Sequence, residues 1–451
     1  MTNDAITPRD ASGSQAPSAR THLVEPENDL LYRRVLWRIM PLLVICYIVA
    51  FIDRSNVGIA KIQFMGDLGF TNAQYGFGAG IFYLGYVLLE IPSNQWLAKI
   101  GARITILRIM IFWGICCTLM AWMSTAPHFY ALRFLLGAAE AGFFPGVLLY
   151  LTFWIPARRR ARFNAIFLAA IPVAGMLGGP LAGLIMSGMD GVWGWRGWQW
   201  LFVLEGLPAI LLGLVAYAVL DDKPSDCRWL AEHERAQIMA DASADARKLG
   251  DGAHATFGAV LADPAFYALG LLGFGIMVST GGIFFWLPTI IDKSGVENLR
   301  DVGLLSALPF IIAVFFQYFI ARRSDRLQER RWHTLIPALV GAVGWSLLPF
   351  VAQNTSLALI ALAVATSGTF SAMGPFWSLP STMLSGPAMA GGIALVTTLA
   401  GLGNFLSPIL VGWLVDRTGS LAAGQFYFAG LLALGTAGIL VSQRRFSSGT
   451  D

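Results

Sequence analysis

Charge is scarce in this sequence. Asp, Glu, Lys and Arg together make up 13% of its 451 residues, where water-soluble domains carry roughly a quarter. That deficit excludes a chain solvated mainly by water. Cysteine is rare too: Cys46, Cys116, Cys117 and Cys227 are the full set, and no pair has metal-ligand spacing. They read as small apolar packing residues, and no metal site is expected. Histidine offers little, since His128 sits at a helix edge and the other four fall in tails or loops. Residues 1–30 have no apolar core, which excludes a cleavable signal peptide, and a disordered cytoplasmic tail is expected over 1–35. The basic residues form no stripe despite a net charge of +4, so no nucleic-acid partner is expected.

What the chain has is apolar length. Its composition is 56% hydrophobic, arranged in continuous runs of about 20 residues, each long enough to cross a hydrocarbon core of about 30 Å. Spanning segments must satisfy their own backbone polar groups, so continuous runs predict helices, not strands. The runs fall near 36–58, 75–97, 104–124, 128–154, 163–188 and 199–220, then near 265–291, 302–321, 334–352, 357–384, 388–414 and 424–443. The fold expected is therefore an all-α polytopic membrane protein, two six-helix bundles over 36–220 and 264–443. A charged central loop, 221–263, joins them and carries a short amphipathic helix over about 229–240. A second tail, 444–451, ends the chain.

Basic residues set the orientation. Lys99, Arg103, Arg158, Arg159, Arg160 and Arg162 fall in loops on one side, as do Arg322, Arg323, Arg326, Arg330 and Arg331, and Arg444 and Arg445 follow in the tail. Lys61, Arg196, Lys293, Arg300 and Arg417 are scattered over the opposite loops. Both termini are expected in the cytoplasm, in a multi-pass membrane protein. The halves echo each other: NQWLAKIGAR (94–103) and ARRSDRLQERR (321–331) occupy the same place in each six-helix unit.

An ionisable side chain in hydrocarbon costs roughly 2.5–3.5 kcal/mol on insertion scales, so each needs a reason. The inventory is Asp53 and Arg54 in span 1, Glu90 in span 2, Arg133 and Glu140 in span 4, and Glu205 in span 6. The second half offers neutral polar and aromatic groups instead: Trp286, Gln317, Trp377, Ser378 and Asn404. This asymmetry suits an amphipathic anion held between the halves. Arg133 and Glu140 share one helix face about 10 Å apart, whereas the adjacent Asp53 and Arg54 diverge by about 100°. The expectation is that Arg54 faces a cavity and binds a carboxylate with its planar fork, that Asp53 pairs with Arg133, and that Glu140 lies further along the channel. A buried ion-pair network that merely pins spans 1 and 4 is the alternative. Burial raises a carboxylate's pKa and a neighbouring arginine lowers it, so an anion competing for an arginine would switch Asp53 or Glu140.

These residues also resemble a known family. FIDRSNVGIA (51–60), RFLLGAAEAGFFPG (133–146) and GWRGWQWLFVLEGLPA (194–209) are similar to the first-, fourth- and sixth-span signatures of the anion:cation symporter branch of the major facilitator superfamily. EIPSNQWLAKIGAR (90–103) and ARRSDRLQERRWH (321–333) resemble its phthalate, tartrate and 4-hydroxyphenylacetate permeases. The resemblance implies proton-coupled uptake of an organic acid by alternating access, in a functional monomer. It implies that Arg54, Tyr86, Trp377, Ser378 and Asn404 contact substrate, and that Asp53 and Glu140 carry protons with Arg133 as regulator. Ala98 stands where the superfamily's first gating loop carries an Asp, so gating is expected at Asp325, Arg326 and Arg330. Ile171 and Pro172 stand where sugar-acid relatives carry a glutamine, which favours a less hydroxylated, aromatic acid over an aldonate.

Two other classes are weighed. GMLGGPLAG (175–183) resembles a fifth-span motif of drug:proton antiporters, although small residues four apart also simply allow close helix packing. A non-transporting organic-acid sensor is the other class, but the central loop is too short for a signalling domain. An enzyme is not expected, because there is no nucleophile–base pair, metal cluster or phosphate loop, and no cofactor is implied.

Overall fold

The structure is a computed structural model that describes residues 25–249, 264–383 and 388–441. Among these residues, twelve helical stretches are long and apolar enough to cross a membrane. The first half is built from α1 (Glu25–Leu68), α2 (Asn72–Ile100), α3 (Ala102–Leu119), α4 (Ala126–Glu140), α5 (Phe143–Trp154), α6 (Ala157–Leu168), α7 (Ala170–Met189) and α8 (Gly197–Val219). After α9 (Glu232–Leu249), the second half runs through α10 (Pro264–Lys293), α11 (Leu299–Leu327), α12 (Arg331–Val351), α13 (Thr355–Met383), α14 (Ala388–Thr418) and α15 (Ala422–Val441).

The first helix departs most from its expected bounds. It starts at Glu25, inside the stretch read as a tail, and continues to Leu68, well beyond the apolar run. Polar residues ended that run without ending the helix, because the protein itself supplies their partners. The Gln63 side-chain oxygen accepts from Trp198 N–H at 3.0 Å, and Asp67 accepts from the Trp198 indole and from Arg196, both at 2.9 Å. Only Gly69, at φ +67°, turns the chain. Lys61 thus lies within α1 and is buried, not in a loop.

Span 4 is not one helix. It breaks between Glu140 and Phe143, where Gly142 takes φ +84° and a Cβ would meet the Ser93 hydroxyl oxygen at 2.5 Å. The break leaves Glu140 as the last residue of α4, fully buried. The central segment packs on the first half. Trp229 stacks on Trp154 with ring centroids 5.9 Å apart, and α9 ties back through Glu234 to Arg34 and through Asp241 to Tyr32. This helix begins at Glu232 and extends past 240; the remainder of the expected loop, 250–263, lies outside the described residues, as do 1–24 and the tail at 444–451.

The halves meet along three helix pairs, α1 with α10, α2 with α14 and α7 with α11. Glycines bring the backbones together. A Cβ on Gly58 would sit 2.4 Å from Phe284 O, one on Gly76 2.2 Å from Pro408 O, and one on Gly179 2.8 Å from Gly303 O. The glycine-rich stretch of α7 is therefore an inter-half packing seam. Asp416 of α14 adds a polar clasp, accepting from Asn72 N–H at 3.1 Å and Ala73 N–H at 2.7 Å, where α2 begins. These contacts lie towards the end remote from the termini.

Candidate functional site

About four helical turns below the clasp, polar and ionisable residues of spans 1, 3, 4 and 6 come together. Arg54 leaves α1 towards the break in span 4. There its Nη2 lies 2.6 Å and its Nε 2.8 Å from Glu140 Oε1. The guanidinium is boxed by aromatic rings, with centroids at 4.8 Å for Phe51, 5.0 Å for Tyr86 and 5.4 Å for Phe82. Such faces stabilise a cation. Glu140 has no exposed surface, while Arg54 keeps 15% of its side-chain surface exposed. The pair is thus reachable from the arginine's side only.

Asp53 does not pair with Arg133 as expected. It accepts from the Trp113 indole N–H, the Cys117 thiol and the Asn56 amide, the last at 3.1 Å. The adjacent-residue divergence of about 100° sends Asp53 into the α3–α8 side of the half and Arg54 to the α4 side. Asn56 also donates to Glu205 at 2.7 Å, so one amide joins two buried carboxylates. Arg133 lies under Phe82 at 4.8 Å and donates through Nε to Gly78 O at 3.4 Å; among the described residues its terminal nitrogens meet no acceptor. Glu140 is bound by Arg54 and not by Arg133, because seven residues of helix hold Arg133 about 10 Å away along the axis.

Of the other residues singled out, Tyr86 stands on Arg54, and the described partners of Arg54 all belong to the first half. Trp377 is 40% exposed and packs edge-on against Phe376, while Asn404 donates to the Met277 sulfur at 3.6 Å. Ser378 is half-buried beside Trp377. The loop after α11 is a compact turn. Arg330 pairs with Asp325 and donates to the Ser324 hydroxyl at 3.0 Å, Gln328 takes φ +52°, and Arg326 is exposed. Burial pushes the Glu329 carboxyl up, but hydrogen bonds from Trp332 N–H, the His333 ring and His333 N–H outweigh it and hold the group below the usual carboxylate range.

Three participants were missed in the sequence. Trp113 was passed over and Cys117 read as an apolar packing residue, yet they are i and i+4 on α3 and both serve Asp53. Their spacing was the available signal. Lys61 was taken for a loop residue and is instead enclosed by the rings of Trp286 and Tyr75.

Twelve candidate spans among the described residues, all of them helical, make an architecture that known proteins share. The family model of the Major Facilitator Superfamily matches residues 43–408. The chain belongs to the Major Facilitator Superfamily. It is 45% identical over 91% of its length to an Agrobacterium vitis protein provisionally named a tartrate transporter, of which 94% is covered. It is 41% identical to NicT of Pseudomonas putida, provisionally named a metabolite transport protein, over 91% of this chain and 94% of that one. Among solved structures, it superposes with a TM-score of 0.73 on a bacterial homologue of the human lysosomal transporter Spinster in an inward-facing, occupied conformation, at 17% identity, over 91% of this chain and 97% of that chain. At that identity the likeness bears on the fold, two six-helix halves. The superfamily is one of transporters and not of enzymes.

Proposed function

We propose that this superfamily member takes up an organic carboxylate together with protons, by alternating access around Arg54. The observation that carries the reading is the buried Arg54–Glu140 pair in its aromatic box. Protonating Glu140 removes the one carboxylate that, among the described residues, pairs with the guanidinium. The freed fork then takes a substrate carboxylate in the same two-nitrogen geometry. Conversely, an anion arriving first competes for Arg54 and favours the protonated acid. Anion and proton therefore bind best together, which is what symport requires.

Asp53 is the second proposed proton site, and Arg133, whose terminal nitrogens meet no acceptor among the described residues, is proposed to bias both acids through its charge. Tyr86, Trp377, Ser378 and Asn404 are the proposed substrate contacts, with Asp325, Arg326 and Arg330 as the gating loop. The proposed bundles span 36–220 and 264–443, in a monomer in the bacterial inner membrane with both termini cytoplasmic, supported by the basic loops on that side. The aromatic faces beside Arg54 favour a planar acid such as a phthalate- or hydroxyphenylacetate-like anion. The Agrobacterium relative's name favours a small hydroxy-dicarboxylate such as tartrate.

The test is proton uptake by purified protein in liposomes challenged with aromatic, sugar-derived and dicarboxylic acids. External alkalinisation on adding one acid, abolished in Arg54→Ala, is expected. Tight binding of an acid without flux would make the protein a sensor, and acidification with outward movement of the compound would make it an exporter; either overturns the reading.

A further inference from the structure

Lys61 is a cation without an explanation in the packing. It is 2% exposed, and among the described residues its Nζ has no hydrogen-bond acceptor. The ammonium lies 3.4 Å from the centroid of the Trp286 ring and 4.3 Å from that of Tyr75. The ionised groups within electrostatic reach, Asp292 and Lys293, have opposite signs. A buried ammonium ordinarily demands an anion, and the faces of two rings are a partial substitute. A methionine would fill the same space at no such cost, so packing alone does not call for a lysine here.

The position is informative. Tyr75 belongs to the first half and Trp286 to the second, so the cage exists only while the halves meet at the end remote from the termini. Tyr75 O–H donates across the same seam to Phe285 O at 3.3 Å. Lys61 also follows Arg54 by seven positions, which places it on the same face of α1 about 10 Å nearer that end. Gly58, between them on this face, abuts Phe284.

We propose that Lys61 is a second subsite for the carboxylate that Arg54 binds, exposed when the halves part at the remote end. Separation withdraws Trp286, and the ammonium then faces the opened cavity. It is the first cation that an entering anion meets, two turns ahead of Arg54, and Tyr75 remains as an apolar flank. The aromatic cage is the anion's stand-in while that end is shut. This inference rests on the reading of Arg54 as a carboxylate site.

The experiment compares wild type, Lys61→Met and Lys61→Arg in vesicles whose orientation is known, with carboxylate flux measured from each face. Lys61→Met is expected to raise KM from the remote face by about tenfold with kcat from that face little changed, while the KM from the termini face stays the same and kcat from that face falls by the matching factor that reversibility requires, and Lys61→Arg is expected to restore both. A KM unchanged from the remote face, or raised equally from both, overturns the inference. On the unaltered protein, a membrane-impermeant lysine acylating reagent applied to the remote face should modify Lys61 more slowly when the transported carboxylate is present. Equal rates with and without carboxylate also overturn it. A wild type that moves no organic carboxylate instead overturns the proposed function, and this inference with it.

Discussion

Glu140 Oε1 accepts from both Nε and Nη2 of Arg54, at 2.8 and 2.6 Å, across the gap between the first span and the broken fourth. Removing one partner of such a buried pair typically costs 3–5 kcal/mol, because the other charge is left behind. The two removals should nevertheless differ in kind. Glu140→Gln keeps an acceptor for Arg54 but cannot exchange a proton. Carboxylate binding should therefore persist and lose the part of its pH dependence that Glu140 supplies, while accumulation against a gradient falls. Binding titrations at several pH values, paired with counterflow, check this, and a pH dependence of binding identical to that of the wild type would exclude Glu140 as the coupling acid.

Arg54→Lys should not rescue transport. Lysine offers a point charge in place of a two-nitrogen fork and cannot reproduce the planar stack between Phe51 and Tyr86. Affinity for the carboxylate should fall about 10–100-fold, or roughly 1.4–2.8 kcal/mol, read by calorimetry. A drop below twofold would mean that the fork geometry is not used.

Asp53 accepts from three side-chain donors. In Asp53→Asn the new amide turns two hydrogens towards one or more of them, leaving a buried donor unmatched. The cost expected is about 1–3 kcal/mol, seen as a lower unfolding midpoint with altered Trp113 fluorescence. An unchanged midpoint would mean that Asp53 is already protonated and donating in the folded protein.

The clasp at Asp416 caps the start of α2 from the other half. Asp416→Ala should weaken closure at that end by about 1 kcal/mol, the usual worth of a capping side chain, raising the population open there about fivefold. Single cysteines introduced in the seam beside Gly76 report it as faster labelling from the remote face. Unchanged labelling would restrict Asp416 to a local helix cap.

Glu329 gives the pH dependence outside the spans. Its pKa lies below the unfolded value, so the stabilisation is present above the ordinary glutamate range and is lost only as pH falls through the depressed value. Amide exchange at Trp332 and His333 should stay slow until that depressed value is reached. Glu329→Gln should exchange faster across the whole range. Protection that fades at the ordinary glutamate pKa would contradict the hydrogen bonds drawn here.

How much was legible in the residues follows from length scales. The twelve spans were readable because each apolar run reports on its own solvent, and the match of α3 (Ala102–Leu119) to an expected run of 104–124 is typical. The end of α1 was not readable, since Gln63 and Asp67 look like loop residues until Trp198 and Arg196 are brought beside them from more than a hundred positions away. Within the site, that Arg54 must find an acid beyond its neighbour was deducible from helix geometry. Which acid it finds depends on how α1 packs against the break at Gly142, and that is a tertiary fact. Cys117 was misread for the same reason: a thiol in an apolar run is filler unless a carboxylate from another helix lands on it.

The dry seam at the remote end also has an electrical consequence. Glycine contacts and aromatic rings from Lys61 to Phe284 close that end; under the proposed alternating access, with Arg54 reached by water from the termini side, most of the membrane voltage would drop across that short layer. Reversing which end is shut then carries whatever sits at Arg54 through nearly the whole field, worth about 2.3 kcal/mol per elementary charge per 100 mV. A monocarboxylate travelling with one proton would cross at no electrical cost. Each further proton would turn the resting potential into a source of accumulation. The number of protons that accompany each anion thus determines whether the cell's voltage, in addition to its pH gradient, does work on the cargo, and the plug determines only at which step that work is done.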